Sequence, residues 1–172
     1  MNTKSTDPLR YIAGYAPEIK AQVQAMIDKD SLAEYLAKKY PQQHSIGNDK
    51  ALRGYVMDLK NQYLRKSAPL NKIAFDNTIH IVHNALGLHS FVSRVQGAKL
   101  KSNNEIRIGA MFKKAPAAFL QMIVVHELAH LKEKDHNKAF YQLCQHMLPD
   151  YHQFEFDMRL YLAQLELANA AE

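Results

Sequence analysis

The chain has 172 residues, of which 47% are hydrophobic and 23% are charged, as expected for one globular domain with at most a small appendage. This composition excludes two large independent domains and an intrinsically disordered or low-complexity chain. The 22 lysines and arginines exceed the 17 aspartates and glutamates, which gives a net charge of +5 with neutral histidines. Such an excess favours the approach of acidic partners, so nucleic acid is a possible partner.

The single cysteine, Cys144, excludes an intramolecular disulfide and a zinc site built from several thiolates. The first eight residues have no apolar run behind a basic segment, and apolar runs elsewhere are only a few residues long. We therefore expect no signal peptide, no membrane span and a reducing, cytoplasmic location.

Residues 1–66 are predicted to be helical. The three helices are expected to begin at about Pro17, Ser31 and Asn48. Ser31 and Glu34 have the spacing of a capping box, in which each side chain bonds the other's backbone N–H. The third helix carries several basic residues on its polar side, and Ser67-Ala68-Pro69 is a plausible end of this N-terminal helical segment.

Between Leu70 and Gly109 the apolar spacing changes from helical to strand-like. Three β-favouring runs, 72–75, 90–95 and 105–108, are separated by turn-prone residues. They predict a small, mainly antiparallel sheet. The 105–108 strand is either an interior strand or an edge that pairs with an extended peptide.

Helical spacing returns at Pro116 and fades at 132–135, and two further helices are predicted at about 136–147 and 150–168. The fold class is therefore α+β, with a sheet packed on the Pro116 helix.

The Pro116 helix contains His126-Glu127-Leu128-Ala129-His130, an H-E-x-x-H sequence. Residues four apart lie on the same helix face, so two imidazoles reach one metal ion while Glu127 projects beside it. Composition alone gives about 0.02 chance matches in this chain. Two histidines on a partly buried helix without a metal are the alternative, but their desolvation is costly.

A catalytic zinc ion usually has three protein ligands. His136 is the nearest candidate for the third ligand, and Glu155 in the last helix is its rival. Spacing alone leaves both open.

The sequence from Val124 through the motif to Leu131, followed by residues 135–141 and Met147-Leu-Pro-Asp-Tyr151, resembles the YgjP-like metallopeptidase family, which is related to the SprT-like and WLM zincins. The resemblance covers about residues 85–162. Asn137 stands where serine is common in the family and Tyr141 where tryptophan is common.

The resemblance implies that His136 is the third ligand and that residues 67–172 form a zincin-like metallopeptidase domain. It also implies a zinc-dependent peptidase in which Glu127 is the general base for a metal-activated water that attacks a peptide or amide bond. An oxyanion helper is expected near the end of the chain. The candidates are Tyr151, His152 and Arg159.

Two other functions remain open from the sequence. A DNA-associated protease is suggested by the basic excess and by the kinship with SprT-like and WLM proteins, and a non-catalytic binding module would keep the metal only for stability. No second metal site is predicted from His80, His83 and His89, because the first two would face opposite sides of a strand.

Overall fold

The computed structural model describes residues 7–78 and 104–172, which form two compact units. Of the described residues, 7–41 and 152–172 form the terminal unit, and 42–78 and 104–151 form the central unit. Inside the central unit the third helix packs on the first strand. The predicted boundary at Ser67 stays a prediction.

The terminal unit is helical. Its elements are a 3-10 helix at Pro8–Ile12, α1 at Pro17–Asp28, α2 at Leu32–Lys39, and all but the first residue of α6, Tyr151–Ala171. Pro17 starts α1, where a missing backbone N–H costs nothing. The predicted capping box of α2 does not form: the Ser31 hydroxyl instead donates to the Met26 carbonyl oxygen at 3.2 Å.

The turn between α1 and α2 explains this difference. Asp30 has a positive φ of 51°, and the backbone N–H of Ser31 bonds the Met26 carbonyl at 2.9 Å. This is the left-handed ending common at helix C-termini, and it draws the Ser31 side chain toward the end of α1.

A buried carboxylate lies in the terminal unit. Asp157 on α6 is fully buried and accepts a hydrogen bond from the Tyr40 hydroxyl. The Lys39 ammonium is 2.9 Å from the same carboxylate. Burial opposes the charge on Lys39, but hydrogen bonds to Tyr35 and Asp157 outweigh it and raise the pKa of the amine.

The central unit contains α3 at Asp49–Tyr63, β1 at Lys72–Asp76, β2 at Glu105–Gly109, a 3-10 helix at Ala110–Lys113, α4 at Ala117–Ala129 and α5 at Lys138–Met147. Helix α3 is capped by the Asn48 side chain, which accepts from the Ala51 backbone N–H. Asp49 accepts from the backbone N–H of Phe75 at 2.9 Å, which ties the start of α3 to β1.

Strands β1 and β2 pair in parallel, with Ile73 opposite Ile106 and Phe75 opposite Ile108. The predicted strands 72–75 and 105–108 are confirmed in position, but they pair in parallel, so the expected mainly antiparallel sheet is not confirmed. The third predicted strand, 90–95, lies outside the described residues. So do His80, His83 and His89.

Helix α4 forms the centre of this unit, with nine of its residues buried. It contacts α3, α5, β2 and the second 3-10 helix, so it is surrounded by other elements. In the part of the chain that the structure describes, no helix combines the length and apolarity needed to cross a membrane.

Candidate metal centre

The end of α4 carries the first two histidines of the candidate site. His126 is 6% exposed and His130, the C-terminal cap of α4, is 8% exposed. Their Nε2 atoms are 3.2 Å apart. The i, i+4 spacing therefore brings the two imidazoles together on one face, as the sequence predicts.

His136 lies in the loop between α4 and α5. Its Nε2 atom is 3.1 Å from the Nε2 atom of His130. Backbone bonds from Leu131, Lys132 and Glu133 to the last residues of α4 tighten the start of this loop. At its other end the Asn137 side chain caps α5 by accepting from the Phe140 N–H at 2.8 Å.

The three histidines form a compact group of candidate ligands. Their ligand atoms all lie within 4.8 Å of one another, and no other such group of three occurs in residues 7–78 and 104–172. Glu155, the rival third ligand, instead pairs with Arg159 at 2.8 Å inside the terminal unit. The geometry therefore favours His136 over Glu155.

Two of the three separations between the ligand nitrogens fit a tetrahedral ion, and the third is at most 4.8 Å. A zinc–nitrogen bond of about 2.0–2.1 Å in a tetrahedron places neighbouring ligand nitrogens about 3.3 Å apart. The two Nε2 separations, 3.2 and 3.1 Å, are close to this value.

The outer nitrogens of two imidazoles also have partners. His130 Nδ1 is 2.9 Å from the Glu133 carbonyl oxygen, which can only accept. A neutral His130 therefore carries its proton on Nδ1 and keeps a lone pair on Nε2, the form that binds a metal. His126 Nδ1 is 2.7 Å from the Tyr151 hydroxyl.

Phe140 of α5 supports all three imidazoles. It is fully buried, and its ring centroid lies 4.9 Å from that of His126, 4.6 Å from that of His130 and 4.8 Å from that of His136. One side chain therefore limits the rotation of all three candidate ligands. This contact with all three imidazoles is not apparent from the sequence alone.

Glu127 lies in α4 directly after His126 and is half buried. The position agrees with the motif, and its role as the general base belongs to the proposal below. Of the predicted oxyanion helpers, Tyr151 instead contacts His126, and Arg159 bonds Glu155 and the Tyr11 carbonyl oxygen. His152 lies at the start of α6 in the terminal unit.

Comparison with known proteins identifies the family. The model of the YgjP-like metallopeptidase domain matches residues 18–160. The chain belongs to the YgjP-like metallopeptidase family. The match begins at residue 18, well before the resemblance seen in the sequence, which covers about residues 85–162. A metallopeptidase family and a three-histidine group together indicate a bound metal ion.

One curated relative, the UTP pyrophosphatase of Escherichia coli (strain K12), is 58% identical over 159 residues, which cover 92% of this chain and 95% of that protein. No solved structure matches the chain.

Proposed function

We propose that this member of the YgjP-like family is a zinc-dependent hydrolase that cleaves a phosphoanhydride bond of UTP, releasing UMP and pyrophosphate. The hydrolase part of the proposal is supported by the convergence of the ligand nitrogens of His126, His130 and His136, with Glu127 next to His126 in the sequence. The substrate is proposed from the name of the relative that is 58% identical over 92% of the chain.

The three histidines would hold the ion, because neutral imidazoles suit Zn²⁺ and leave its other positions for water and substrate. A bound zinc ion supplies a Lewis acid, which acidifies a water molecule and offsets negative charge on phosphate oxygens. Glu127 would hold the attacking water and accept its proton as the water oxygen attacks phosphorus. The P–O–P link between the α- and β-phosphates would then break to give UMP and pyrophosphate, and Glu127 would pass the proton to a product oxygen.

The charge distribution supports a phosphate substrate. Residues 42–151 contain 15 lysines and arginines against 8 aspartates and glutamates, whereas the rest of the chain has 7 against 9. Three exposed lysines, Lys132, Lys134 and Lys138, lie within four residues of His130 or His136. A positive region attracts a nucleoside triphosphate more strongly than it attracts a neutral peptide.

Peptide hydrolysis is the second candidate. It is favoured by the family description as a metallopeptidase domain and by the H-E-x-x-H motif, which is typical of metalloproteases. The same groups would serve: the three histidines as ligands and Glu127 as the base. Action on proteins bound to DNA stays a prediction, to be tested by DNA binding that weakens as salt rises.

The deciding experiment supplies zinc-loaded protein with UTP and, separately, with a mixture of unstructured peptides. We expect UMP and pyrophosphate in equal amounts from UTP, with no products from chelator-treated protein. His126→Ala, purified in the same way, is the control for a contaminating phosphatase. Peptide cleavage without UTP hydrolysis would favour the second candidate. A zinc-loaded protein inactive on both would favour a metal-stabilised binding module.

A further inference from the structure

Tyr151 is a buried residue whose hydroxyl contacts Nδ1 of the candidate ligand His126. It is the first residue of α6 and is fully buried. Its backbone N–H bonds the Leu148 carbonyl oxygen at 2.9 Å, which fixes the turn between α5 and α6. Its hydroxyl lies 2.7 Å from Nδ1 of His126, and the two rings are inclined by only 21°.

The chemistry of this contact selects one form of His126. An imidazole that presents a lone pair at Nε2 carries its proton on Nδ1, and that proton needs an acceptor in a buried site. The Tyr151 oxygen is within hydrogen-bond distance to accept it. For His130 the Glu133 carbonyl oxygen has the same role.

We propose that Tyr151 is a positioning residue for the metal: it accepts the Nδ1 proton of His126 and so orients Nε2 toward His130 and His136. This replaces its predicted role as an oxyanion helper, since the hydroxyl is directed at a ligand. The inference rests on the metal site of the proposed function but not on its substrate. Partners of this kind typically change metal affinity by about 10–100-fold.

The test measures the dissociation constant for Zn²⁺ by competition with a chromophoric chelator. Tyr151→Phe keeps the ring and removes the hydroxyl, so we expect zinc binding about 10–100-fold weaker. Tyr55→Phe is the matched control, because it removes the hydroxyl of a half-buried tyrosine on α3 in the same unit. We expect it to bind zinc within about twofold of the unaltered protein. Unchanged affinity in Tyr151→Phe, or an equal loss in Tyr55→Phe, would overturn the proposal.

Two further measurements separate positioning from a general structural role. Tyr151→Phe should lower the free energy of unfolding in urea less in metal-free protein than in zinc-loaded protein, each compared with the unaltered protein in the same state. The reason is that the part of the stability that comes from bound zinc falls with the zinc affinity. Equal losses with and without zinc would contradict the inference. In the zinc-loaded unaltered protein, NMR should show a slowly exchanging proton on His126 Nδ1. A rapidly exchanging proton there would also refute it, even if the variant did not fold.

His126→Ala separates a failure of the proposed metal site from a failure of the positioning role of Tyr151. If it binds zinc as tightly as the unaltered protein, the metal site itself is wrong and the inference about Tyr151 fails with it. If it loses zinc while Tyr151→Phe does not, only the positioning role fails.

Discussion

Phe140 offers a demanding test of the site because it contacts all three candidate ligands. Its ring is fully buried and lies 4.6–4.9 Å from each imidazole centroid. Replacing it by alanine would cost about 3–5 kcal/mol of unfolding free energy and would risk the fold. Phe140→Leu keeps most of the apolar volume, so it is the better perturbation.

The expected cost of Phe140→Leu follows from the contacts. Aromatic pairs contribute about 0.5–1.5 kcal/mol each beyond the area they bury, and three pairs are lost together. Because neighbouring contacts are not additive, we expect a decrease of about 1.5–3 kcal/mol in the unfolding free energy without metal. The imidazoles also gain rotational freedom, so zinc binding should weaken by about 10-fold or more.

Urea unfolding in the presence of chelator gives the first quantity, and competition with a chromophoric chelator gives the second. Phe112→Leu is the control: Phe112 is also buried, but it lies in the 3-10 helix before α4. It should lower stability and leave zinc affinity within about twofold. Zinc binding unchanged in Phe140→Leu, or weakened equally in Phe112→Leu, would refute the argument that Phe140 orients the ligands.

Three further predictions concern single residues. Glu127→Gln should fold and retain its zinc while turnover falls by about 10²- to 10⁴-fold; lost zinc would make Glu127 a structural residue. Hydrogen bonds from Thr78 and Arg107 lower the pKa of Asp76 to about 2, so its stabilisation is present above about pH 4 and is lost as the pH falls toward 2. Asp76→Asn should therefore remove up to about 1 kcal/mol from the difference in unfolding free energy between pH 7 and pH 2, and an unchanged difference would contradict this. Asp30→Gly should raise the free energy of unfolding by about 0.5 kcal/mol, because glycine adopts a φ of 51° without strain. The melting temperature should rise slightly as a result.

The local part of the site was predictable from the sequence. The pairing of His126 with His130 depends only on the helical repeat, which the apolar spacing around the motif already indicates. The proximity of His136 depends on a tight loop, and its turn bonds and the Asn137 cap are not fixed by spacing alone. That is why spacing alone left Glu155 open as a rival.

Long-range features were harder to predict. The direction of β1 relative to β2 depends on the path of the chain between residues 76 and 105, and the strand pattern itself is the same for both directions. The Tyr151–His126 contact joins residues 25 positions apart. A buried ligand histidine needs a partner for its outer nitrogen, but the sequence does not show which side chain supplies it.

The most direct test of the central claim is a crystal structure of zinc-loaded protein with diffraction data collected on both sides of the zinc absorption edge. We predict one anomalous peak per chain, about 2.0–2.1 Å from Nε2 of His126, His130 and His136. A peak elsewhere, or one with Glu155 in place of His136, would contradict it.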